Sequence, residues 1–121
     1  MNRKERQALI KKLDKLWALR IKERDKVCQY HKEFPGNCGK VLQAAHIFSR
    51  RNMNTRWDLQ NGLLLCQGIH IFWAHTQPTR FNEWIEKRLG HVDYKHLKVR
   101  SETLVRNQDL KLVEIYLNVQ D

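Results

Sequence analysis

Near the middle of the chain His46, Asn61 and His70 stand in the pattern H-x14-N-x8-H, with Arg50, Arg51 and Arg56 between the first two. A neutral imidazole titrates near physiological pH, so a histidine can take a proton from water or ligate a divalent cation. Arginine forks are strong bidentate partners for phosphate. These residue types suit an anionic, phosphate-bearing substrate. A second set is Cys28, Cys38 and Cys66, with His31 two residues beyond the first cysteine. Three cysteines, an odd number with no apolar leader segment beside them, do not make a disulfide framework, so metal ligation and plain burial remain as their uses.

These residues must be held by a small frame. The 121 residues are one domain's worth, short enough to need a staple such as a metal. The formal charge of +10 favours polyanionic partners, nucleic acid first and an acidic membrane surface second. Apolar runs such as 62–66 are too short to span a bilayer, so no membrane partner is expected and the protein reads as cytoplasmic.

Residues 2–26 form one amphipathic helix with Leu9, Leu13, Leu16, Trp17 and Ile21 at helical spacing. Within residues 1–27, ten Lys/Arg face four Asp/Glu, which gives this segment six of the ten net charges; Lys11, Lys12 and Lys15 lie on its polar face. From 28 to 40, Pro35, Gly36, Asn37 and Gly39 mark turns. Residues 41–47 and 62–65 are of strand length and a polar loop joins them. Residues 69–75 suit a helix that Thr76-Gln77-Pro78 stops. Thr79, Asp93 and Asp109 are cap residues for further helices, the first carrying Phe81, Trp84, Ile85 and Leu89 and ending at Gly90, the last turning Leu110, Val113, Tyr116 and Leu117 inward. The order is strand, loop, strand, helix, in an α+β chain flanked by a long basic helix and two to three C-terminal helices.

On this order the segment 28–75 resembles the HNH endonucleases with their ββα-metal fold, and among them the phage recombination nucleases of the Rap/NinG type. The residues that carry the resemblance are His46-Ile47-Phe48-Ser49-Arg50, Arg56-Trp57-Asp58-Leu59-Gln60-Asn61-Gly62, and Leu64-Leu65-Cys66 followed by His70. It implies one HNH nuclease domain over 1–121, divided into a basic helix (1–27), a ββα-metal core (28–76) and a helical C-terminal part (77–121). It implies catalytic roles for His46 as general base, Asn61 as a brace that sets the tautomer of His46, and His70 as ligand to a divalent metal, Mg2+ or Mn2+, with Ni2+ or Zn2+ as alternatives. The substrate would be DNA, duplex or branched, contacted at phosphates by Arg50, Arg51, Arg56, Lys11, Lys12 and Lys15. One site per chain cuts one strand, so double-strand cleavage would call for a homodimer.

The family commonly places Asp or His just before the base as a second metal ligand, and Ala45 stands there. His75 is five residues after His70, off the four-residue spacing of one helical face, and reaches the metal if the helix ends or tightens at Ala74; Gln43 and Asp58 are weaker substitutes. Many members also hold a structural zinc with two cysteine pairs, and Ile69 occupies the place of the fourth cysteine. His31 can replace it, since zinc accepts mixed sulfur and nitrogen sites. Buried thiols, or His70 joining the cysteines, are the alternatives. Each functional reading has a bland counterpart: a satisfied core histidine at His46, a solvated arginine loop, core roles for Trp57, Trp73 and Trp84, and surface roles for His91 and His96. The rival from another class is a nucleic-acid-binding module of the same fold that has lost its activity.

Overall fold

In the computed structural model, which describes residues 1–105 and 108–120, the chain opens with helix α1, Arg3–Asp25. Asn2 caps it: its Oδ1 accepts from the Glu5 backbone N–H at 2.8 Å, and its amide donates to the Glu5 carboxylate in return. One face of α1 buries Leu9, Leu13, Trp17 and Ile21, as the spacing predicts. A single helical turn, α2 (Gln29–Glu33), occupies part of the stretch read as turns alone. Strands β1 (Leu42–His46) and β2 (Gly62–Cys66) pair antiparallel, with Ala44 opposite Leu64 and His46 opposite Gly62.

This two-stranded sheet is covered on both faces, which is why all five residues of β2 are buried and why the run GLLLC shows no polar alternation. On one side Leu64 joins Leu9, Leu13, Trp17, Ile21 and Trp57 of the first cluster, completed by Leu110 and Leu117 of helix α5 (Leu110–Asn118). On the other, Ala45, Leu63 and Leu65 pack with Phe81, Trp84 and Ile85 of helix α3 (Pro78–Leu89). The end of α1 also closes the outer edge of β2. Asp25 accepts from the Leu64 N–H at 2.9 Å and Arg24 donates to the Gly62 carbonyl at 2.7 Å, so edge groups that would otherwise invite another strand are satisfied internally.

Two helix starts differ from expectation. Pro78 takes the first position of α3, leaving Thr79 inside the first turn. Gly90 adopts φ 88°, a conformation open to glycine, so helix α4 (His91–Glu102) begins one residue after α3 ends and Asp93 lies within it. Asp109 does cap α5, accepting from Lys111 and Leu112 N–H. Tyr116 is exposed and reaches back only with its hydroxyl, which accepts from the Leu59 N–H. No helix among the described residues is long and apolar enough to cross a membrane.

Candidate active site and metal centre

His46 is the last residue of β1, and two contacts fix its ring. Its Nε2 lies 2.9 Å from the Arg56 carbonyl, an acceptor only, so Nε2 carries the proton and Nδ1 is left with its lone pair. The Trp17 indole stacks on it, ring centroids 4.0 Å apart and planes within 7°. Burial holds the imidazole pKa below its ordinary value, opposed by the bond to the Arg56 carbonyl and by the Asp14 carboxylate. His46 is thus a neutral base at neutral pH.

Asn61 is fully buried and fully bonded. Its Oδ1 accepts from the Phe48 N–H at 2.8 Å, and its Nδ2 donates to the carbonyls of Phe48 and Thr55, each at 3.0 Å. These bonds pin the start of the long loop, two residues beyond His46, and a point within it, one residue before Arg56. Asn61 bonds across the loop, while the tautomer of His46 is set by the Arg56 carbonyl, so Asn61 reaches it only through the backbone it pins.

His70 follows β2 in a helical stretch whose middle, Ile69–Ala74, is π-helical. Its Nδ1 lies 2.8 Å from Gln43 Oε1, which leaves Nε2 unprotonated and open to a cation. Burial, then the neighbouring His75 and His46, keep its pKa low. The π turn also decides the place of His75. Wider than an α-turn, with bonds from i to i+5, it brings residues five apart onto one side, and the two rings meet at 4.8 Å. The helix widens where the sequence reading called for it to end or tighten. His46, His70 and His75, with Asp14, Trp17, Ser49, Arg50 and Asn82, line one cleft of about 570 Å³. Asn82 adds an acceptor, for its buried Oδ1 has no hydrogen-bond partner among the described residues.

Other candidates lie elsewhere. Ala45 is buried against Phe81, Trp84 and Ile85. Gln43 orients His70, while Asp58 caps the turn Leu59–Asn61 and pairs with Arg100 at 2.9 Å. Arg56, expected among the phosphate contacts, is turned inward and only 14 % exposed: it grips both oxygens of Asp14 at 3.0 and 2.7 Å. Burial alone would raise the Asp14 carboxyl, but bonds from Arg56 and Trp57 hold it below the usual carboxylate value. Lys12 pairs with Glu114 at 2.8 Å on the α5 side. Lys11 and Lys15 are exposed on α1, Arg50 and Arg51 on the loop, and Arg50 is at the cleft itself. Trp57 and Trp84 are buried and Trp73 half-buried, while His91 and His96 are exposed.

The cysteines make a separate centre. Cys28 precedes α2, His31 lies on it, Cys38 is in the following loop and Cys66 ends β2, and their ligand atoms all fall within 4.8 Å of one another. His31 Nδ1 stands 3.5 Å from Cys28 Sγ and 3.6 Å from Cys66 Sγ. Tetrahedral zinc, with bonds of about 2.3 Å to sulfur and about 2.0 Å to nitrogen, separates S and N by about 3.6 Å, so this donor set fits zinc. Desolvation and the neighbouring Cys28 and Cys66 push the Cys38 thiol up to about 11, since thiols this close resist ionising together. Cys66, against the burial that would raise it, is held low by the backbone N–H groups of Ile69 and Gly39. Ile69 thus supports the site through its backbone rather than as a ligand, and His70 does not join it.

Sequence reasoning missed Trp17 and Asp14 as parts of the cleft; their only signal is that they stand three residues apart on the helix. Residues 25–79 match the family model described as HNH endonuclease. That match supports the HNH family and a nuclease type of function for this stretch. No curated protein and no solved structure matches the chain.

Proposed function

We propose that this chain is a metal-dependent HNH endonuclease that hydrolyses DNA phosphodiester bonds. The observation that carries the reading is the pair of tautomers: within one cleft, His46 keeps Nδ1 free to take a proton and His70 keeps Nε2 free to take a cation. His46 removes a proton from water, the water oxygen bonds to phosphorus, and the bond to the departing 3′ oxygen breaks. His70 and His75 are the residues that would hold a divalent cation, which when bound would supply Lewis-acid chemistry to the reaction. Arg50 at the cleft, with the exposed Arg51, Lys11 and Lys15, receives the flanking phosphates, whereas Arg56 holds the loop. The Cys28, His31, Cys38 and Cys66 centre would hold a structural zinc.

Within this reading, a likeness to Rap/NinG-type phage recombination nucleases supports branched as well as linear DNA as substrate and the host cytoplasm as the place of action. Double-strand cutting would take two chains, each with one site. The test is cleavage of supercoiled plasmid and of a four-way junction with Mg2+, Mn2+, Ni2+ or EDTA, for the wild type and His46→Ala. Metal-dependent cutting that drops by roughly 10²-fold or more in the variant while DNA binding persists is the expected result. Tight binding without cutting under any metal would instead make the protein a binding module.

A further inference from the structure

We infer that Trp17, on α1 and outside the segment matched by the family model, is a positioning residue for His46: it fixes the plane of the base and stabilises it once protonated. The inference rests on the nuclease reading only for its kinetic consequence. A bond to the Arg56 carbonyl fixes the direction of the Nε2–H but leaves the imidazole free to rock about that axis. The indole removes that freedom. It is itself held, 2 % exposed, with its Nε1–H donated to the Asp58 carbonyl at 2.9 Å. Gly62, directly opposite His46 in the strand pair, makes the room: a Cβ there would lie 2.3 Å from Trp17 Cζ2. Substituting Gly62 would therefore displace the indole.

The geometry also has a sign. Two neutral aromatic rings prefer offset or edge-on arrangements to a nearly superposed parallel stack. A cation over an indole face is attracted to it. The 4.0 Å, 7° stack thus favours the imidazolium over the imidazole, which is the state His46 reaches after taking a proton from water. The charged groups around His46 are Asp14 from α1 and Arg50 and Arg56 from the loop, with His70 across the cleft. The indole adds a neutral, dry support that those charges do not supply.

The experiment compares wild type, Trp17→Phe and Trp17→Leu, each checked for melting temperature and zinc content. In the wild type the His46 Cε1–H resonance, assigned by its loss in His46→Ala, should lie upfield through the ring current of the indole. Trp17→Phe should keep part of that displacement and cut within about threefold of wild type. Trp17→Leu should lose it and cut at least roughly tenfold more slowly at saturating DNA, with DNA affinity within about twofold. An undisplaced wild-type resonance overturns the inference even if the leucine variant does not fold, and so does a leucine variant that cuts as fast as the phenylalanine one. A displaced resonance in a chain that never cuts would leave Trp17 as the platform of His46 and overturn the nuclease reading alone.

Discussion

Burial keeps His46 neutral against the pull of the Arg56 carbonyl, which gives the ring one defined lone pair, and this sets the pH response expected of a nuclease. A general base works above its own pKa, and that of His46 lies below the ordinary 6.5. Cleavage should therefore stay on its plateau as pH falls through 6.5 and decline only at the lower value of the folded site, measured as kcat against pH at fixed metal. A midpoint at or above 6.5 would mean that the titrating group is another one. His46, Asn61 and His70 were legible as candidates because their spacing in one strand-loop-strand-helix unit resembles that of a known family. The acceptor that chooses the His46 tautomer was not, because a backbone carbonyl has no residue type to read.

The π-helical turn shows how an element can overrule spacing. On an α-helix residues 70 and 75 diverge; with i to i+5 bonding they share the cleft. His75→Ala should weaken Mn2+ or Co2+ binding by roughly tenfold or more, read by calorimetry or by the visible absorption of bound Co2+, with the melting temperature little changed. Unaltered affinity would remove His75 from the site. Helix α1 contributes a comparable surprise, because Asp14 ties it to the loop through Arg56 and Trp57. Asp14→Asn should cost about 1–3 kcal/mol near neutral pH, by urea denaturation. Since the folded carboxyl titrates below the ordinary 3.8, that contribution is complete above the unfolded value and fades as pH falls through the folded one, so the two proteins should converge in acid. A gap that persists at low pH would show that charge is not what Asp14 contributes.

For the chain in full, two apolar clusters lie on the two faces of a minimal sheet, and ligands from three separate segments gather beside the second. Cys28 and Cys66 belong to the second cluster, so a zinc bound to them and to His31 and Cys38 would staple α2, its loop and β2 to the packing of α3. Removing zinc with a strong chelator should lower the melting temperature by many degrees and release about one equivalent of metal per chain. Zinc-free protein with an unchanged melting temperature would leave Cys28 and Cys66 as plainly buried thiols and Cys38 as an exposed one. Charge is likewise shared out by the fold: of six basic residues read as DNA contacts, Arg56 serves the interior, Lys12 is exposed but paired with Glu114 of α5, and Arg50, Arg51, Lys11 and Lys15 are exposed.

Periodicity and local spacing were enough to determine α1, the two strands and the α+β class, because a helical repeat and a short apolar run are each written in consecutive residues, whereas the Cys28-x2-His31 pair and the His46, Asn61 and His70 set were candidates that rested on a family resemblance. Tertiary structure alone decided the rest. It placed Trp17 against His46, drew Arg56 to Asp14 across 42 residues and closed the four-ligand cluster from segments as far apart as Cys28 and Cys66. Those contacts depend on how α1 crosses the sheet and on the room that Gly62 leaves, and such packing complementarity has no period along the sequence.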